Sequence, residues 1–460
     1  MSVTRDVAAF IANAKLEDFR PEVIEKAKIC LMDTAGVGIA GNRTKAGRCA
    51  VEFALDTFRD GPSSVWGQKR SLSVKGATWA NAALACSLDM DDGHRDKAVA
   101  NGSDRATGHI GGHPAAVVVP AALAAAQKTG ASGEELLAAI IVAYETGVRI
   151  GGARNPATVF TNVTGNWGYY GAAIASGKLL GLEPEPMSEV LGVVAAFGSN
   201  PPGEGVSRDM AFNLSFVTEM SMAKESIGWA SFTGAAAADL ARRGFTGIQN
   251  VLDNGDFFDP SYFSNLQDSR VMLSSYFKPY SCCRQTHATI DGVLELCEKH
   301  EIEKDKIQKI AVRCSPGASK LNNPEPSSLE QAQYSNPFCV GVTICHGTVS
   351  PSTLYEEMLN DAAVREVARK VELIGDEKFQ GPASNGALIP SKTAVEVEIL
   401  TDEGAFQTFV EHPKGTAENP MTTEELSGKF IRNAGTGLGP EKAEELKLYL
   451  QEIEGKSDLA

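Results

Sequence analysis

Residues 114–130, Pro-Ala-Ala-Val-Val-Val-Pro-Ala-Ala-Leu-Ala-Ala-Ala-Gln-Lys-Thr-Gly, run directly into residues 131–144, Ala-Ser-Gly-Glu-Glu-Leu-Leu-Ala-Ala-Ile-Ile-Val-Ala-Tyr. Pro114 stands where a first-turn proline sacrifices no hydrogen bond, and Gly130 stops the run of Ala115 to Gln127. Ser132-Gly-Glu-Glu135 is a capping box, and Leu136, Leu137, Ile140, Ile141 and Tyr144 after it share one helical face. Two adjoining helices made so largely of small residues predict close helix packing and a mostly α fold. The same signals recur on both sides. Pro21 heads a helix carrying Val23, Ile24, Ala27 and Leu31, and Gly171 to Leu180 ends at Gly181. Pro186 opens a helix to about Phe197, and Gly228 to Arg243 ends at Gly244.

The pattern changes after about residue 270. Ile310, Val312 and Cys314 alternate with Ala311 and Arg313, and Val395, Val397 and Ile399 alternate with Glu396 and Glu398, the period of half-buried strands. The second run passes through Asp402-Glu-Gly404 into Phe406 to Val410, a hairpin. Helical patterns at Ile290 to Lys299 and Leu354 to Arg369 lie among them, which predicts an α+β unit with an antiparallel sheet. Beyond Pro413-Lys-Gly415 the helical period returns, with a second capping box at Thr422-Thr-Glu-Glu425.

Composition narrows the function. The chain has 460 residues, with 58 acidic against 43 basic side chains, a net charge of −15. An acidic surface with no basic stretch repels phosphate backbones and anionic lipid, which argues against nucleic-acid or membrane partners and for a small molecule. The longest apolar run, Ala115 to Ala126 with Pro120 interrupting it, falls short of the ~18–20 residues of a bilayer span. Asp6 sits where a signal peptide would be basic, so a cytoplasmic protein is expected. Nine cysteines without paired spacing read as reduced thiols rather than metal ligands.

Gly36, Gly38 and Gly41 spell G-x-G-x-x-G, but they follow a helical run rather than a strand, so close helix packing is expected there instead of a dinucleotide turn. The informative segment is Asp89-Met-Asp-Asp-Gly-His-Arg95, which leads to Gly108-His-Ile-Gly-Gly-His-Pro114. It gathers Asp89, Asp91, Asp92, His94, His109 and His113 in a long polar connection, the kind that is commonly functional. His113 precedes a helix, whose dipole lowers an imidazole's pKa and favours a carboxylate nearby. A metal site is disfavoured, because Gly111-Gly112 prevents His109 and His113 from sharing a helix face. Lys224, in an apolar surround, and Lys278, in Lys-Pro-Tyr-Ser-Cys-Cys-Arg-Gln-Thr-His287, are candidate anion binders or bases, and Arg284 offers a two-pronged donor for a carboxylate.

These segments resemble the MmgE/PrpD family, which includes 2-methylcitrate dehydratase, cis-aconitate decarboxylase and iminodisuccinate epimerase. The likeness runs through Met32-Asp-Thr-Ala-Gly36, Leu88-Asp-Met-Asp-Asp-Gly-His94, Gly112-His-Pro114, Met222-Ala-Lys224, Arg243-Gly-Phe-Thr-Gly247, Lys278-Pro-Tyr280, Cys283-Arg-Gln-Thr-His287 and Pro413-Lys-Gly415. The resemblance implies a large helical domain from residues 1–270 and 413–460, an inserted α+β domain over 271–412, a homodimer, and neither an organic cofactor nor an obligatory metal. It places Asp89, His113, Lys224 and Lys278 on functional positions. Gly93 stands where a threonine is usual, Asn162 where many members have histidine, and Ser281 where proline is usual.

The expected chemistry is proton removal beside a carboxylate of a small di- or tricarboxylic acid, with preorganised cations bearing the developing charge. His113 is the first choice of base, with Asp89 orienting an imidazole or bearing the proton itself, His94 or Tyr280 protonating a leaving hydroxyl, and Asn162, Tyr280, Arg284 and His287 on the substrate side. A hydratase or dehydratase leads. An epimerase, a decarboxylase and a non-catalytic carboxylate binder are the alternatives.

Overall fold

The computed structural model describes residues 2–96, 110–155, 164–198, 221–379 and 393–459. The expected run from Pro21 is one continuous helix, Pro21–Gly41, that includes all three glycines of the G-x-G-x-x-G string. A Cβ on Gly38 would lie 2.3 Å from the Trp66 ring, and one on Gly41 2.3 Å from the Leu84 carbonyl oxygen. The glycines therefore let this helix press against Val74–Ser87 and its neighbours.

Pro114–Thr129 ends on the left-handed Gly130, and Gly133–Ala153 begins with both halves of the predicted capping box. The second helix corrects the membrane-span reading. At 21 residues and a mean hydropathy of 1.4 over its best window, it is long and apolar enough to cross a bilayer, yet that window is wholly buried inside the protein. Unbroken apolar runs passed over it because Glu145 and Arg149 interrupt the stretch. Their charges are satisfied internally: Arg149 Nε donates to Glu145 at 2.7 Å and Nη1 to the Ser264 carbonyl at 2.7 Å, while Met272 N donates to Glu145 at 3.0 Å.

Gly168–Leu179 and Ile227–Arg242 lie close to their expected bounds. Pro184–Gly198 is opened by Pro184 rather than Pro186. The helix expected from Leu354 to Arg369 is broken in two, a 3-10 turn at Glu356–Asn360 and a helix Ala362–Arg369. Asp361 interrupts it, because its carboxylate accepts from Ala363 N and Val364 N as an N-cap.

Three sheets lie among the described residues, the smallest pairing β1 Asp60–Ser64 with β2 Ser71–Leu72. The four-stranded sheet has the order β7-β6-β8-β9, with β6 Ile307–Cys314, β7 Val371–Gly375, β8 Val395–Thr401 and β9 Gly404–Val410. The β8–β9 hairpin is antiparallel as expected, but β6 and β7 are parallel, so the sheet is mixed. The 56-residue connection from β6 to β7, with its helices, permits the crossover that a parallel pair needs. The second sheet, β4-β3-β5, lies inside the stretch read as a polar connection: β3 Gly93–Asp96 pairs with β4 Ile110–Gly112 and with β5 Ser275–Tyr276. It brings the Asp89–His113 segment next to Lys278, 165 positions beyond His113.

Two helices near the chain's end, Thr423–Leu438 and Pro440–Gln451, return to the first part. Leu426, Phe430 and Ala434 join the same buried cluster as Leu31, Ile140 and Ala172. Val312, Val397 and Ile399 centre a separate cluster under the four-stranded sheet.

Candidate active site

Asp89 follows the Val74–Ser87 helix with its backbone in the left-handed region, φ 51°. Side chains distant in sequence hold the carbonyls on either side of it. Gln333 Nε2 donates to Ser87 O at 3.1 Å, Ser281 Oγ to Leu88 O at 2.7 Å and Lys429 Nζ to Met90 O at 2.7 Å. A non-glycine residue persists in this conformation only where its surroundings over-determine it.

Asp89 is the centre of charge. Lys278 Nζ lies 2.6 Å from its Oδ1, Lys224 Nζ 4.0 Å from its Oδ2, and His113 Nε2 4.0 Å from its Oδ1. Burial pushes this carboxyl up, but Lys224, Lys278 and His113 outweigh burial and hold it well below the usual carboxylate range. Lys278 is raised above its ordinary value: burial lowers it, and Asp89 followed by Asp91 more than compensates. Lys224, Lys278 and His113, far apart in the chain, meet around Asp89.

Asp91 and Asp92 have separate roles. Asp91 Oδ2 meets His113 Nδ1 at 2.8 Å. Asp92 accepts from the Tyr144 hydroxyl at 2.8 Å and from Ala115 N at 3.0 Å, so the carboxylate at the head of Pro114–Thr129 is the protein's own. Burial, then the charge of Asp91, raises Asp92 to about 7 against those two hydrogen bonds. The expectation that the helix would lower His113 is overturned. Burial does pull it down, but the charge and hydrogen bond of Asp91 raise it to about 10, so the imidazole is protonated at neutral pH.

Lys224, Glu225 and Ser226 are three successive residues with left-handed backbone, φ 29°, 51° and 57°. Glu225 Oε2 accepts from Thr164 N at 2.8 Å and from Thr164 Oγ1 at 2.6 Å, and that Oγ1 in turn accepts from His113 N at 3.0 Å. Glu225 Oε1 faces His113 Nε2 at 4.0 Å. The Lys224 ammonium is buried, 5.7 Å from the Tyr334 ring centre, and has no hydrogen-bond partner among the described residues. Burial, with Asp89 next, keeps the Tyr334 hydroxyl protonated far above its ordinary range.

The remaining expected residues are spread around this cluster. His94 is fully buried in β3, where it pairs with Gly112 and Ser275. Tyr280 spends its hydroxyl on Asp291 at 2.6 Å. His287 is buried against the Cys282 carbonyl at 3.1 Å, and burial together with Lys278 lowers it to about 3. The Arg284 guanidinium stacks 4.1 Å over the Tyr276 ring. Asn162 and His109 lie outside the described residues. A Cβ on Gly93 would come within 2.2 Å of Tyr276, so the missing side chain makes room for that ring. Asp91, Glu225 and Tyr334 were not singled out as site residues. The Asp91 carboxylate was visible beside Asp89, whereas nothing in the sequence around Glu225 or Tyr334 marks them.

Asp89, Asp91 and His113 hold one possible metal-ligand atom each within 4.8 Å of one another. Lys278 and the imidazolium proton already meet those donors, so the charge is balanced by the chain's own cations.

Family models match almost end to end: the MmgE/PrpD N-terminal domain over residues 5–269 and the MmgE/PrpD C-terminal domain over 280–454. The chain belongs to the MmgE/PrpD family. Relatives within it include the cis-aconitate decarboxylases of Homo sapiens, 24% identical over 99% of this chain and 93% of theirs, and of Mus musculus, 24% identical over 99% and 92%. That of Aspergillus terreus is 23% identical over 100% of this chain and 94% of its own. In this MmgE/PrpD protein the carboxylates and cations are assembled from positions 89, 91, 113, 224, 225 and 278, all described above.

Proposed function

We propose that this protein is a lyase of a small di- or tricarboxylate, with Lys224 holding a substrate carboxylate and His113 delivering a proton to the carbon beside it. The observation that carries the reading is the Lys224 ammonium, buried without a hydrogen-bond partner and separated by 4.0 Å from an Asp89 that Lys278 already neutralises. A buried charge lacking hydrogen bonds costs several kcal/mol. An incoming carboxylate oxygen between Lys224 and the His113 imidazolium relieves that cost and fixes the substrate's orientation.

Loss of CO2 leaves an electron pair on carbon, spread onto the remaining carboxylate or conjugated system. Lys224 and Lys278 oppose that charge, and His113 Nε2–H quenches it. Because His113 is an acid at rest, decarboxylation takes precedence over dehydration, which needs a base on the reacting carbon as well. The named activity of the relatives favours cis-aconitate as the first substrate to try.

The test is incubation in D2O with cis-aconitate and with citrate-like, tartrate-like and amino-dicarboxylate compounds. The expected result is CO2 release with one deuterium added to carbon, at the vacated position or, where the electron pair is conjugated, beside the remaining carboxylate. Deuterium in recovered substrate of inverted configuration, or water loss without CO2, replaces this reading with epimerisation or dehydration.

A further inference from the structure

We infer that Glu225 is the proton relay of this site, the carboxyl group that returns a proton to His113 Nε2 after the imidazole has given its own to the substrate. The inference rests on the decarboxylase reading above and names the group that lets the site turn over more than once.

His113 Nδ1 is committed to Asp91, whose side chain has no exposed surface, so exchange with solvent runs through Nε2. Two carboxylates stand 4.0 Å from that nitrogen. Asp89 is 4% exposed, its near oxygen is held by Lys278 at 2.6 Å and its other oxygen is buried 4.0 Å from Lys224, so it has no route to water. Glu225 is 26% exposed, and Thr164 pins only its far oxygen, leaving Oε1 turned toward the ring. Thr164 Oγ1 also accepts from the His113 backbone N–H, so one residue sets the position of both proton-carrying groups. One bridging water, or about 1 Å of side-chain movement, closes the 4.0 Å gap to hydrogen-bond length. The left-handed backbone at 224–226 is strained, and it is this conformation that turns Lys224 and Glu225 into the same pocket.

The step balances. The substrate's C–C bond breaks, CO2 leaves, and the electron pair stays on carbon. The Nε2–H proton moves to that carbon, and a proton taken from solvent by the Glu225 carboxylate passes on to Nε2. One proton is consumed for each CO2 released.

Glu225→Gln tests it, since the amide oxygen can still accept from Thr164. The first turnover is expected at the wild-type rate, with kcat/KM nearly unchanged, while steady-state kcat and KM fall together tenfold or more. Added imidazole, a small proton carrier, is expected to restore kcat, making the variant's rate depend on buffer concentration as the wild type's does not. An unchanged kcat, or equal slowing of the first turnover without recovery in imidazole, overturns the relay. A wild-type protein that releases no CO2 from any carboxylate overturns the lyase reading and the relay with it.

Discussion

Lys429 Nζ lies 2.7 Å from the Met90 carbonyl oxygen, so a helix near the end of the chain fixes the loop that carries Asp89 and Asp91. The same ammonium pairs with Asp33 at 2.6 Å, and both side chains are buried. Burial lowers Lys429 and raises Asp33, each against the pull of its partner. Lys429→Met strands a buried carboxylate and is expected to lose about 3–5 kcal/mol of stability in denaturant titrations. Adding Asp33→Leu should return most of that stability. Turnover should stay low, because Met90 still lacks its donor.

Gly93 and Tyr276 face each other across β3 and β5, with no room for a Cβ between them. Gly93→Ala must displace the Tyr276 ring, and with it Lys278 two residues on. A fall of at least tenfold in kcat/KM is expected. Tyr276→Ala should offset part of it, giving a double-mutant cycle far from additive. Additive losses would mean that the two positions act independently.

The His113–Asp91 pair sets a pH dependence. His113 rises from 6.5 to about 10 on folding, so between those values the native state holds a proton that the unfolded chain has lost. The pair's stabilisation is complete below pH 6.5, declines as pH rises and is gone above about 10. Asp91→Asn is expected to remove that slope from the difference between the two proteins' unfolding free energies. The alkaline limb of kcat/KM should move down from about 10 toward 6.5.

Divalent ions provide another check. Asp89, Asp91 and His113 offer donor atoms within 4.8 Å of one another, but the Lys278 ammonium and the imidazolium proton already neutralise them. Millimolar Zn²⁺ or Mn²⁺ is therefore expected to leave both Tm and turnover at pH 7 unchanged. A saturable rise in Tm would show that a metal displaces the lysine.

The helices were legible because their punctuation is local: Pro114, Gly130 and the Ser132–Glu135 box are read within one turn. The parallel β6–β7 pair was not, since period-2 alternation is the same for either strand direction. Within the site, Lys224, Lys278 and His113 could be named as candidates from their surroundings. Their convergence depends on β3 pairing with β5 and on Thr164 joining His113 to Glu225, contacts spanning 51 to 183 positions that no local pattern encodes. The pKa of His113 was misjudged for a related reason. Its dominant neighbour is Asp91, 22 positions earlier, and an ion pair at 2.8 Å outweighs a helix dipole.

Calorimetric titration of a saturated tricarboxylate, which has the charges of cis-aconitate but cannot lose CO2 by the same route, tests the central claim most directly. The wild type is expected to bind it, and folded Lys224→Met to bind roughly 10- to 150-fold more weakly, the equivalent of about 1.5–3 kcal/mol for a charged hydrogen bond. Equal affinity in the two proteins, or no binding by the wild type, would contradict a carboxylate seat between Lys224 and His113.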